Sequence, residues 1–193
     1  MRQSLVIVIG AVIMLLLQIA IAPGLSIGHA TPNLLLVYAL ASALVIPRPA
    51  SLVLSFLLGL AFDLLGGGPL GTMALVLLVM CAFVSWAYVR FDNDSLFIPL
   101  VLLVFGVLFS ELFYGILIVL CGYPATIGEA LLYRSLPCAL YNIALALAAF
   151  FLLRFFLRVF GTPRAPRQGK NTLHFSRKGR KRSSQNADIT IVR

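Results

Sequence analysis

Long, unbroken apolar stretches decide what this chain can fold into. Residues 5–22, 70–89, 96–120 and 135–160 carry almost no charge, and two shorter apolar segments occupy 33–46 and 51–65. Of the 193 residues, 61% are hydrophobic and 11% charged, against roughly 25% charged in a soluble domain. Such a chain needs lipid as its solvent. Lipid offers no hydrogen bonds, so each spanning segment must satisfy its own backbone, which leaves helices or a closed barrel. A barrel would alternate in polarity over segments of about 10 residues. The runs here are continuous, and they predict an all-α polytopic membrane protein with a bundle of about six transmembrane helices over residues 1–160.

Arg2 precedes the first run much as in a signal peptide. The run is long for such a segment and more apolar chain follows at once, so the spacing predicts a retained helix. Segments 33–46 and 51–65 are shorter than the about 20 residues of a full span. A re-entrant hairpin would hold Arg48 near the bilayer midplane, at roughly 2.5–3.5 kcal/mol. Two short spans with Arg48 in a tight loop between them cost less.

Lys and Arg set the orientation. With six crossings and a cytoplasmic N-terminus, Arg2, Arg48, Arg90 and the C-terminal segment lie inside and Arg134 alone lies outside, the positive-inside pattern. Both termini are then cytoplasmic. From Arg154 onward, 11 Lys and Arg face one acid, Asp188, a net +10; residues 1–153 carry 4 Arg and 5 acids, a net −1, which together make the +9 of the whole chain. Residues 161–193 therefore hold most of the basicity, and their polar composition predicts a disordered basic cytoplasmic tail. Attraction to anionic lipid, about 1 kcal/mol per basic residue near the surface, and a topology-fixing role account for such a tail. Docking to an acidic cytoplasmic partner is a further reading. Without a fold or interleaved aromatics, no nucleic-acid partner is expected.

Chemistry-bearing residues are few. His29 and His174 stand alone in loops, and Cys81, Cys121 and Cys138 are widely spaced and read as small packing residues. No catalytic set, cofactor motif or metal-ligand spacing appears, so no enzyme, cofactor or metal is expected. Two acids lie inside apolar runs, Asp63 and Glu111. Intramembrane charges are expensive and usually face the bundle interior with a partner. Asp63 falls near the C-terminal end of its helix, where the helix dipole disfavours an anion. It would accept hydrogen bonds from the amides of the Gly66–Gly68 turn, or pair with Arg134. Glu111 falls about midway along its helix. Both acids fit either a tie between helices or a proton or solute path. Gly59, Gly106 and Gly115 mark close helix contacts or are ordinary lipid-facing glycines.

Several strings carry a family resemblance. LLQIAIAP (16–23) ends the first helix, PNLLLVYALA (32–41) opens the second, LVIPRP (44–49) makes the following loop, GLAFDLLGGGPLG (59–71) joins the third and fourth, and SELFYG (110–115) lies in the fifth. Their order resembles the rod shape-determining membrane protein family MreD over residues 1–160. The tail goes beyond the usual family length. The resemblance implies a non-enzymatic scaffold of the bacterial elongation machinery in the inner membrane, with MreC as binding partner. MreB, RodA and the elongation transpeptidase belong to the wider assembly that controls cell shape and lateral peptidoglycan synthesis. It also implies a fold similar to the substrate-binding subunits of energy-coupling-factor transporters. Asp63 and the turn Pro69, Leu70 and Gly71 match the family motif, and Glu111 matches an acidic position. With Gly59, Pro32, Asn33 and Arg134 these form the candidate set for partner contact. The alternative function is a small-solute binding or transport subunit. It would need a polar pocket at one membrane face, drawn from His29, Asn33, Tyr123, Glu129, Tyr133 and Arg134.

Overall fold

A computed structural model describes residues 2–26, 31–66, 68–91, 96–122 and 126–160, and the structural statements that follow concern these. The basic tail, His29, Tyr123 and His174 lie outside the described residues. The order of elements is α1 (Arg2–Ala20), a 3-10 turn (Ala22–Leu25), α2 (Leu34–Ala43), α3 (Arg48–Gly66), α4 (Thr72–Arg90), α5 (Phe97–Leu120), α6 (Ile127–Glu129), a π-helical turn (Ala130–Ser135) and α7 (Leu136–Phe160). No strand occurs among the described residues. Four helical runs are long and apolar enough to cross a membrane: α3, α4, α5, and the continuous run Ile127–Val159. The apolar helices α1 and α2 complete an all-α polytopic membrane protein.

Helix boundaries follow local chemistry. α3 starts at Arg48, earlier than its apolar run, because Pro49 falls in the first turn, where a missing N–H breaks no helical bond. It thereby reaches 19 residues, enough for a span. The last segment also starts earlier than expected. Thr126 and Glu129 form a capping box, with the Glu129 N–H on Thr126 Oγ1 at 3.3 Å and the Thr126 N–H on Glu129 Oε2 at 3.0 Å. This T-x-x-E signal was present in the sequence, ahead of Tyr133 and Arg134, which interrupt the apolar run.

The second segment departs most from expectation. α2 has 10 residues, roughly 15 Å at about 1.5 Å per residue, or half of a hydrocarbon core of about 30 Å. It does not cross by itself. It is instead the centre of the bundle, with every residue from Leu35 to Ala43 buried, packed against α1, α3, α4, α5 and α7. A helix that is apolar on all sides and enclosed by others has no lipid face to distinguish.

The outer helices show the reverse polarity of a soluble protein. α3 buries Ser51, Ser55, Leu58, Gly59 and Asp63 and exposes Val53, Phe56, Leu57 and Leu64. Lipid is as apolar as leucine, so helices associate through close packing and hydrogen bonds, and small residues gather at their contacts. Gly59 is the tightest case. A Cβ there would lie 2.5 Å from Ala74 Cα and 2.7 Å from Ala74 N, so α3 touches the backbone of α4 directly. Gly106 faces Val84 and Leu40, and Gly115 faces Ser135, so all three of these glycines mark helix contacts.

Because the obstacle at Gly59 is backbone, Gly59→Ala should destabilise the protein by about 1–3 kcal/mol. Thermal unfolding in detergent checks this, with the lipid-exposed substitution Val53→Ala expected to leave the midpoint near that of the wild type.

Candidate functional site

Two buried polar groups sit inside the bundle. The first joins α3 to α4. Gly59 and Asp63 are one helical turn apart, on the same face of α3. The close approach at Gly59 brings the Asp63 carboxylate under the first turn of α4. Oδ2 accepts from the Gly71 N–H at 2.9 Å, the Met73 N–H at 3.0 Å and the Ala74 N–H at 3.2 Å. The Met73 N–H also reaches Oδ1 at 3.1 Å. Asp63 is only 2% exposed.

Among the described residues, the turn itself supplies no side-chain cap to this helix end. The N-cap residue of α4 is Gly71, with φ +91° and no side-chain cap. Only glycine adopts that left-handed conformation without penalty. The Thr72 hydroxyl donates to Pro69 O at 2.6 Å and also reaches Asp63 Oδ1 at 3.5 Å. Asp63 therefore caps α4 from the preceding helix. Its anion stands at the unfavourable end of its own helix dipole and at the favourable end of the next one. Among the described residues, which leave out Gly67, the amides it accepts are those of Gly71, Met73 and Ala74, the free donors of a new helix. No pairing with Arg134 is found among the described residues. The Arg134 guanidinium lies 5.0 Å from the centroid of the Tyr114 ring instead, and Tyr114 meets Phe62 of α3 edge-on at 6.1 Å.

The second group surrounds the start of α2. Asn33 caps that helix, its Oδ1 accepting from the Leu36 N–H at 2.9 Å. The Asn33 N–H donates to Asn142 Oδ1 at 2.8 Å, and Asn142 Nδ2 donates to Glu111 Oε1 at 2.7 Å. From α1, Gln18 Oε1 accepts the Leu34 N–H at 2.7 Å while its Nε2 donates to Pro32 O at 3.1 Å. Asn33, Asn142 and Glu111 are all buried. One chain of bonds thus ties α1, α2, α5 and α7 together at a single level of the bundle. The Asn33 N–H fixes which face of the Asn142 amide is oxygen, and that turns its NH2 toward Glu111.

A family model described as the rod shape-determining protein MreD matches residues 1–160. The chain belongs to the MreD family. No match is found among curated proteins or among solved structures, so the likeness to energy-coupling-factor subunits rests on the family resemblance. In this MreD-family chain, the G-x-x-x-D…P-L-G stretch is a helix-hairpin device: Gly59 for contact, Asp63 for the cap, Pro69 and Gly71 for the turn. Leu70, 70% exposed, takes no part in it. Pro32, Asn33 and Glu111 come together in the second group, and Arg134 stands on the π-helical turn over Tyr114. Gln18 and Asn142, which complete that group, are absent from the residues singled out by sequence. Each is a polar residue inside an apolar run, the same signal that marked the two acids, applied there to charge alone.

Asp63→Ala leaves the buried amides of Met73 and Ala74 and the half-buried amide of Gly71 without this acceptor and should destabilise the protein by about 3 kcal/mol. Asp63→Asn keeps one oxygen for them and should lose about 1 kcal/mol, the charge–dipole part. Thermal unfolding in detergent ranks the two. For the second group, Glu111→Gln keeps the acceptor for Asn142 and should stay within about 1 kcal/mol of the wild type, whereas Asn142→Leu strands the Asn33 N–H and should cost about 2 kcal/mol. Equal losses from these two would contradict the bonding order given above.

Proposed function

We propose that this member of a rod shape-determining family is a non-enzymatic scaffold of the elongation machinery in the bacterial inner membrane. It binds MreC, and through that partner supports lateral peptidoglycan synthesis with MreB, RodA and the elongation transpeptidase. The observation that carries this reading is the use of the two intramembrane acids. Asp63 is occupied by the first amides of α4, and Glu111 by Asn142, itself bound to the start of α2. Both serve as ties within the bundle. The solute-path alternative drew its motivation from these same acids, and their engagement in ties between helices supports it less.

A scaffold in lipid recognises its partner through surface shape. The bundle is suited to that role, because its polar ties lie inside and its outer faces are apolar and held in fixed register. The tail and both chain ends are assigned to the cytoplasm by the distribution of Arg and Lys. The basic residues after α7 add attraction to anionic lipid there.

The reading is tested by expressing the full chain with the MreC of the same host and purifying through a tag on one of them. Co-elution of the pair, together with rounding of rod cells on depletion, is the expected result. Two folded proteins that elute separately would exclude MreC as the partner.

A further inference from the structure

Arg134 is a cation for which the chain supplies no carboxylate. The acids of the chain are Asp63, Asp92, Asp94, Glu111, Glu129 and Asp188. Asp92 and Asp94 follow the Arg90 end of α4 in sequence, and Asp188 belongs to the tail. Asp63, Glu111 and Glu129 remain for the opposite end of the bundle, where α3 stops, α4 starts, α5 stops and the run into α7 begins. All three are taken by uncharged donors. Asp63 holds the first amides of α4, Glu111 holds the Asn142 amide, and Glu129 holds the Thr126 N–H. Glu111 is near enough to feel the charge of Arg134, but none of the three forms an ion pair with it.

The cation is nevertheless held in place. Its guanidinium lies 5.0 Å from the centroid of the Tyr114 ring. That ring is only 6% exposed and meets Phe62 of α3 edge-on at 6.1 Å. The charge therefore rests, half-buried, over the seam where α3 meets α5. A ring face attracts a cation but carries no net charge to offset it. Charged side chains in the apolar layer are rare and almost always paired. A guanidinium has five N–H donors in a planar fork, which suits a carboxylate gripped through both oxygens. Beside it the surface is apolar: Leu65, one turn beyond Phe62 on the same face of α3, is 49% exposed.

Depth selects the anion. Tyr114 lies six residues before the end of α5 at Leu120, roughly 9 Å at about 1.5 Å per residue. The 24 residues of α5 reach about 36 Å, some 6 Å beyond a hydrocarbon core of about 30 Å. With equal overhang at both ends, the ring lies about 6 Å inside the hydrocarbon. A lipid phosphate stays at the headgroup layer, and an arginine serving it extends outward along the surface. Arg134 folds over a buried ring instead. A side chain carried on a partner's membrane segment reaches this depth.

We propose that Arg134 is a docking point for a protein partner, receiving an Asp or Glu carboxylate from a membrane segment that packs across the α3–α5 seam. The proposal deepens the scaffold reading and rests on it, since it requires a protein partner, but it does not require that partner to be MreC.

The test places the photoreactive residue p-benzoylphenylalanine at position 65 of the full chain in growing cells of the native host, with a second chain carrying it at position 53 as control. Val53 is 62% exposed on the same helix. Adducts are mapped by mass spectrometry. Position 65 should capture a membrane-protein peptide that carries an Asp or Glu. Arg134→Gln should lower that adduct severalfold and leave the adducts from position 53 unchanged, and Arg134→Lys, which keeps the charge without the fork, should lower it less. Arg134→Glu should abolish it, and changing the captured acid to Arg should restore it. Adducts to phospholipid alone would overturn the proposal, as would a peptide without an acid, labelling indifferent to Arg134→Gln, or a charge swap that restores nothing. A captured peptide from a protein other than MreC, passing the charge swap, would keep the site and remove MreC from the scaffold reading. MreC that co-elutes while the labelling ignores Arg134 would do the reverse.

Discussion

A helix that begins away from water leaves its first amides without partners, and this one constraint organises the bundle. Two helices here meet it with side chains borrowed from elsewhere in the chain. α4 begins at a glycine that cannot cap it, and Asp63 of α3 supplies the oxygens. α2 begins at Asn33, and Gln18 of α1 and Asn142 of α7 complete the set. Each solution is also a tertiary contact, so satisfying the backbone and fixing the packing are one event.

This explains why polar residues concentrate at the centre of so apolar a chain. Among lipid-solvated helices, transfer of apolar surface supplies little drive to associate, and close contact and hydrogen bonds must do it. The serines of α3, Gly59 at the α4 backbone, and the Glu111–Asn142 bond are the specific contacts of this bundle. The exposed faces, by contrast, are lined with residues such as Val53, Phe105 and Phe109. A rigid interior with an apolar exterior fits the scaffold role proposed above, in which a partner would meet a surface whose shape is held from within. Asp63 and Glu111 both make bonds that hold that shape.

Much of the architecture was legible in the chain. Apolar run length marked every long helix, because a span in lipid must be continuous. The same logic singled out Asp63 and Glu111, since a charge among apolar residues has few stable placements. The family resemblance, rather than this logic, put Gly59, Pro69 and Gly71 in one motif with Asp63. Reading for charge missed Gln18 and Asn142, whose uncharged amides disturb an apolar run less than a carboxylate does. Apolar run length also placed the start of the last segment several residues late, because Tyr133 and Arg134 concealed a helix that the Thr126 and Glu129 box announces.

Hydropathy alone thus determined the class of this protein and the number of its apolar segments, because lipid acts on each segment separately and the cost of an unpaired backbone is local. What only the tertiary structure decided was the rank of those segments and the partners of their polar groups. α2 reads like its neighbours in sequence but is a half-length helix enclosed by five others, and Asp63 reads as an anion near a glycine turn but serves the helix beyond it. Both outcomes depend on which helix ends come together in space, and that is set by packing across residues far apart in the chain.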